Sequence, residues 1–163
     1  MSSRRTFLRS AALLGAAPLA STVAPRAIAA QAPAAKPDVK ITAVNAYVVD
    51  RAILVEVASD AGISGWGECA FDGDALMKTF VDQLLKKEVV GKNPFDVRKL
   101  WDWMFFEHHD LGPGGALPNA IAGVDIALWD LKGRLLGQPI YNLLGGKYRD
   151  KIEAYGSVPV RRG

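Results

Sequence analysis

The sequence predicts an α+β fold: a three-stranded antiparallel meander followed by helices. Three observations carry that expectation. Short runs rich in β-branched residues follow one another between residues 40 and 69, separated by breaks of only a few residues. From residue 74 onward the apolar residues recur at helical rather than alternate spacing. Strands first and helices afterwards is the order of an α+β domain, not of repeated βαβ units.

Taken in order, Lys40 to Val49 alternates loosely and stops at the polar pair Asp50-Arg51. Ala52 to Ser59 is the second strand, Asp60-Ala61-Gly62 supplies turn residues, and Ser64 to Cys69 is the third. Asp74 is suited to N-cap a first helix whose apolar face is Leu76, Phe80, Leu84 and Leu85. Asn93-Pro94 reads as an N-cap and a first-turn proline opening a second helix through Phe106. Phe95, Leu100, Trp101, Trp103 and Met104 are its core candidates. Residues 107–118 read as a loop, and a third helix runs from Asn119 to Leu136, stopped by Gly137. A short helix, Ile140 to Leu144, ends at Gly145-Gly146, and Lys151 to Val158 reads as one more strand.

Residues 1–29 read as an export signal. Arg4 and Arg5 form a twin-arginine pair just before the apolar run Ala11 to Ala20, and Ala27-Ile28-Ala29 has the small-x-small form of a cleavage site. The run is too short and too broken by proline to span a bilayer. This pattern resembles signals read by the bacterial Tat machinery and implies a periplasmic destination. Residues 30–38, rich in Ala and Pro, read as a linker, leaving 39–150 as the main domain.

Half of the 163 residues are apolar and 23% are charged, which fits a globular chain rather than a disordered one. The formal net charge of +3 belongs to the signal: Arg4, Arg5, Arg9 and Arg26 all precede residue 30, where no Asp or Glu occurs. The nearly neutral remainder has no electrostatic reason to seek nucleic acid. Cys69 is the single cysteine, so neither an intramolecular disulfide nor a cysteine-rich zinc cluster is available. It reads as a small packed side chain at a strand end.

Helix 119–136 carries Ile121, Val124, Ile126, Ala127, Leu128, Trp129 and Leu131, apolar groups nearly all round its axis. Such a helix is expected to be buried on most sides, with more apolar surface than the preceding elements cover. The run Ala120-Ile121-Ala122-Gly123-Val124-Asp125-Ile126-Ala127-Leu128-Trp129-Asp130-Leu131-Lys132-Gly133 resembles the mandelate racemase and muconate lactonizing enzyme branch of the enolase superfamily. Gly137-Gln138-Pro139-Ile140-Tyr141, Leu143-Leu144-Gly145-Gly146 and the earlier Gly65-Trp66-Gly67-Glu68 extend the resemblance over about residues 39–158. Gly112-Pro113-Gly114-Gly115 followed by that helix is most similar to sugar-acid dehydratases of the galactonate type.

The resemblance implies an N-terminal capping domain followed by a modified TIM barrel, of which residues 151–163 would be the start and hold only the first strand. It further implies proton removal next to a carboxylate, with Mg²⁺ stabilising the enediolate and a Lys or His as base. A carboxylate substrate, such as a sugar acid, is the implied partner, and the full-length parent is expected to be a homo-oligomer. In the family the base and metal residues lie on later barrel strands. No catalytic or metal residue is therefore assigned here, and this chain alone is expected to bind no Mg²⁺. The opposing expectation is an exported, non-catalytic binding module complete as written.

The resemblance points to two loops that would cover substrate: Asp50-Arg51, and the segment after the third strand with Phe71 and Asp72. Arg51 suits a substrate carboxylate or hydroxyls, and Phe71 suits exclusion of water. The plain reading is a hairpin turn and a strand-to-helix connection with solvated charges. His108 and His109, flanked by Glu107 and Asp110, lack a second ligand cluster, so a plain loop is favoured over a metal site or a substrate contact. Gly112-Pro113-Gly114-Gly115 lacks the Lys-Ser/Thr of a phosphate cradle. Asp125 and Asp130 are five apart, point to different faces and read as structural; Asp130 has i,i+4 spacing to Arg134.

Overall fold

The computed structural model describes residues 36–71 and 75–156. Three strands, β1 (Ile41–Val49), β2 (Ala52–Ser59) and β3 (Ser64–Phe71), form one sheet in the order β1-β2-β3, antiparallel throughout. Strand β2 alternates without a break: Ile53, Val55 and Val57 are fully buried, and Ser59 satisfies its hydroxyl on the Ile63 carbonyl at 2.7 Å. Strand β1 buries Ile41, Val44 and Ala46, an odd step between the first two. A register shift between Ile41 and Ala43 absorbs the extra residue, which is why the pattern looked loose in sequence.

The first helix, α1, runs Ala75–Phe80, widens to a π turn over Val81–Leu85 and continues over Lys86–Val89. Its buried row is Met77, Val81, Leu85 and Val89; of the expected face Leu85 is buried, Phe80 and Leu84 are half-buried and Leu76 is exposed. Four-residue steps overshoot a 3.6-residue turn by about 40° each. The wider π turn reduces that drift and keeps the row facing the sheet. The expected cap, Asp74, lies outside the described residues.

Helix α2 is Val97–Phe106 and starts later than expected. Asn93 does not cap it; its Oδ1 accepts the Phe95 N–H at 2.9 Å in a side-chain-closed turn that precedes the helix. Val97, Leu100 and Met104 are buried, whereas Trp101, Trp103 and Phe95 are half-buried and Phe106 is exposed. The supposed loop 107–118 contains a 3₁₀ turn, His109–Leu111, and helix α3 already begins at Ala116 and runs to Leu136. Pro118 sits in its first turn, where a missing N–H costs nothing. Gly137 ends it at φ 61°, in the left-handed conformation expected of a helix stop. Helix α4, Ile140–Leu143, follows.

Helix α3 packs directly on β3. A Cβ at Gly67 would lie 2.2 Å from the Gly123 carbonyl, one at Gly65 2.2 Å from the Ala127 carbonyl, and one at Gly123 2.6 Å from Cys69 Sγ. Two strand residues advance about 6.6 Å and four helix residues about 6 Å, so Gly65, Gly67 and Cys69 stay in step with Leu131, Ala127 and Gly123. This close seat corrects the expectation that α3 outruns its cover. Leu117, Ala120, Ile121, Val124, Ala127, Leu128 and Leu131 are all buried by this chain's own elements. Ile126, 46% exposed, and Leu136 are its large apolar side chains left in the open.

Two side-chain contacts tie helices to the outer strands. Lys78 Nζ donates to the Ala46 carbonyl at 2.9 Å and also pairs with Asp82. Asp130 Oδ2 accepts the Trp66 N–H at 2.9 Å and Arg134 Nε at 2.8 Å. Asp130 is thus structural and paired with Arg134, as its spacing suggests.

The expected strand over 151–158 is not formed across 151–156, and residues 157 and 158 lie outside the described residues. A strand exists only by hydrogen bonding to a neighbour, and among the described residues the one sheet, β1-β2-β3, does not include this segment. Ile152 and Tyr155 in this segment, and Tyr148 just before it, are exposed, the two tyrosines by 90%.

Candidate substrate-covering edge

A two-residue loop, Asp50-Arg51, joins β1 to β2 across the closing pair Val49↔Ala52. Asp50 has φ 54°, the left-handed region that aspartate tolerates better than most residues. Both loop residues are exposed. The register of the second pairing is decisive for the site: Ala52 opposes Phe71, the last residue of β3. The hairpin tip and the exit of β3 therefore share one end of the sheet, and Asp50, Arg51 and Phe71 are brought together. Asp72 lies outside the described residues, as do the signal positions Arg4, Arg5, Ala27 and Ala29.

Behind that end, the sheet face that carries Tyr47 and Trp66 is open to solvent. Their rings stand 5.8 Å apart, and the Tyr47 hydroxyl donates to Glu56 Oε2 at 2.9 Å. That hydrogen bond to a carboxylate pushes the Tyr47 phenol above its ordinary range. Beside β1 a groove of about 770 Å³ is lined by Tyr47, Val48, Lys78, Asp82, Gln83 and Lys86, among others. Lys78 escaped the sequence reading; its i,i+4 spacing to Asp82 was the available signal.

Burial pushes the Cys69 thiol up to about 11, so it is a packed, unreactive group. Burial also raises Asp125, with Arg98 opposing the shift. His108 and His109 diverge: His109 Nε2 lies 3.1 Å from Asp110, and His108 turns toward Glu88. A hard cation such as Mg²⁺ requires several converging oxygens. Among the described residues no three His, Cys, Asp or Glu side chains converge, so they do not fit that ion. Among the same residues no helix is long and apolar enough to cross a membrane. At this end of the sheet Asp50, Arg51 and Phe71 are neighbours through the Val49↔Ala52 and Ala52↔Phe71 pairings.

Residues 26–145 match the family model described as mandelate racemase / muconate lactonizing enzyme, N-terminal domain. The chain is 40% identical over 120 residues to D-galactonate dehydratase of Variovorax paradoxus, covering 73% of this chain and 31% of that protein. It is 42% identical over 117 residues to D-galactonate dehydratase of Xanthomonas campestris, covering 71% and 30%. Among solved structures, it superposes on a mandelate racemase/muconate lactonizing protein from Paracoccus denitrificans complexed with magnesium at TM-score 0.63 and 36% identity, covering 68% and 31%. An enolase-superfamily member from Salmonella Typhimurium gives TM-score 0.65 at 35% identity, covering 72% and 31%. The chain spans about a third of the length of these relatives. It belongs to the mandelate racemase / muconate lactonizing enzyme family and carries that family's N-terminal domain.

Proposed function

We propose that residues 39–150 are the substrate-covering domain of an exported, Mg²⁺-dependent acid-sugar dehydratase of the D-galactonate type. The observation that carries this reading is the Ala52↔Phe71 pairing, which sets the hairpin and the exit of β3 side by side. Similarity to D-galactonate dehydratases at 40–42% identity supports the substrate class. In this reading Arg51 offers its guanidinium to the carboxylate or hydroxyls of the acid sugar. Phe71, at the end of the neighbouring strand, and the following Asp72 help to exclude water. The groups that remove the proton lie outside the residues described here. The exposed tail with Tyr148, Ile152 and Tyr155 is then the lead into the catalytic domain, which would cover it. The twin-arginine leader directs the protein to the periplasm.

A domain exchange tests the reading. Residues 39–150 replace the matching segment of the Variovorax paradoxus enzyme, and galactonate dehydration is measured with Mg²⁺. We expect activity to be retained and Arg51→Ala to lower kcat/KM by roughly 10- to 100-fold, the loss of a charge-assisted hydrogen bond. A folded chimera without activity on galactonate overturns the substrate assignment. Unchanged kinetics in the Arg51→Ala chimera remove that residue from the site.

A further inference from the structure

The helices cover one face of the sheet. Gly65, Gly67 and Cys69 turn toward α3, so Trp66 and Glu68 between and beyond them turn to the opposite face. Leu54 and Glu56 do the same between the buried Ile53, Val55 and Val57, and Tyr47 does so beside the buried Ala46. The register sets Glu56 opposite Trp66, and Leu54 opposite both Tyr47 and Glu68. Tyr47 and Trp66 stand on the two strands that flank β2, yet their rings are only 5.8 Å apart. They therefore lean toward each other over the middle strand, and each is still 42% exposed. The Tyr47 hydroxyl holds Glu56 by one oxygen, Oε2, at 2.9 Å.

The charge on this face has one sign. No lysine or arginine occurs in β1, β2 or β3. Among the described residues no ion pair neutralises Glu56 or Glu68. Lys78, the cation that acts on Tyr47, is engaged by the Ala46 carbonyl and by Asp82. We propose that this face is a docking surface for an arginine-bearing segment of a partner polypeptide. Two carboxylates without a cation of their own attract positive charge. The electron-rich faces of an indole and a phenol do so as well. A planar guanidinium serves both, stacking on a ring while its N–H fork meets a carboxylate, which a compact ammonium does less well. Glu56 is positioned for this, because Tyr47 fixes it through one oxygen and leaves the other as an acceptor. Glu56 and Glu68 lie on adjacent strands, so two arginines fit the face better than one, and linking them in a peptide raises the affinity. The surface is opposite in preference to the hairpin end, where Arg51 suits an anion.

The probe is the peptide acetyl-Gly-Arg-Gly-Arg-Gly-amide, whose alternate arginines share one side when extended. It is titrated into the full chain at low salt and followed by NMR on the Trp66 indole N–H. The chain has four tryptophans, and Trp66→Phe identifies the signal by its loss. We expect a saturable shift centred on Tyr47, Glu56 and Trp66. Citrulline in place of arginine keeps the shape without the charge and should weaken binding roughly tenfold or more; lysine should weaken it about threefold. Glu56→Gln with Glu68→Gln should weaken it roughly tenfold at an unchanged thermal midpoint. Asp125→Asn, in the groove between α2 and α3, should leave it unchanged. No saturable shift, equal binding of the citrulline peptide, or indifference to the paired Gln substitutions overturns the proposal. So does free argininamide that matches the peptide, which makes this a small-cation site. A Trp66 signal that moves with protein concentration alone makes a second copy the occupant and overturns it too.

Discussion

Gly67→Ala isolates what holds the domain together. The added methyl would lie 2.2 Å from the Gly123 carbonyl oxygen and 2.8 Å from the Ala127 nitrogen. Normal carbon–oxygen contact is about 3.3 Å, so α3 must lift by roughly 1 Å along this seam. Both obstructing atoms are helix backbone, so no side chain can swing aside. A radial gap of that size forfeits a quarter to a half of the dispersion attraction of each atom pair it separates. The pairs at stake belong to Ala127, Leu128 and Leu131, all fully buried. Overpacking usually costs 1–3 kcal/mol, and a rigid helix has few ways to relax, so we expect about 3–4 kcal/mol. Gly62→Ala is the control. Gly62 has φ +72° and nothing within 4 Å of its would-be methyl, so its cost is backbone strain alone, roughly 1–2 kcal/mol. Urea unfolding followed by tryptophan fluorescence reads both, with the m-value checked for constancy. If Gly67→Ala costs no more than Gly62→Ala, the backbone-to-backbone seat of α3 on β3 is not what fixes the domain.

Three further outcomes follow from the same structure. Because burial lifts the Cys69 thiol to about 11, the unfolded chain ionises first as the pH rises. Stability should then fall above about pH 9 by roughly 1.4 kcal/mol per pH unit until about pH 11, and Cys69→Ala should remove that slope in pH-dependent melts. Asp125 is raised by burial, so its charged form costs stability at neutral pH. Asp125→Asn should stabilise at pH 7, and its advantage should shrink as the pH falls through the carboxylate range, as thermal midpoints across pH 3–7 would show. Asp130→Ala removes the acceptor of both the Trp66 N–H and Arg134, and should cost about 1–2 kcal/mol. Asp130→Asn can still accept from Trp66 and should cost less; equal losses would count against the backbone contact.

Much of the fold was legible because short-range chemistry decides it. The breaks at Asp50-Arg51 and Asp60-Ala61-Gly62 placed the hairpins, and Gly137 placed the end of α3. The misreadings have local causes. The face of α1 was phased from Leu76, yet the π turn changes the helical period that any wheel assumes. Asn93 carries the right side chain for a cap but spends it on the N–H of Phe95, and the helix waits until Val97. Residues 107–118 read as a loop, yet α3 begins at Ala116, because a proline in the first turn, Pro118, removes only an N–H that has no partner anyway. The segment 151–156 has strand composition but pairs with no strand among the described residues, and composition alone makes no sheet. The cover of α3 was underestimated because Gly65, Gly67 and Gly123 were read for their family resemblance and not for their missing side chains. Glycines two apart in a strand, with another inside a helix, signal close approach of two backbones. At the candidate site the hairpin was visible in sequence, but its adjacency to Phe71 depends on strand register, which no local pattern reports.

The contacts of Lys78 with the Ala46 carbonyl and of Asp130 with the Trp66 amide have a consequence for the domain's life before it meets any partner. A three-stranded sheet has two open borders, each able to recruit a strand from a passing chain. Here a helix-borne cation, Lys78, meets one border at Ala46 and a helix-borne anion, Asp130, meets the other at Trp66. Each contact takes up one edge group that a docking strand would otherwise use. The exposed side chains Tyr148, Ile152 and Tyr155 lie beyond the last helix, away from both of these contacts in the sequence.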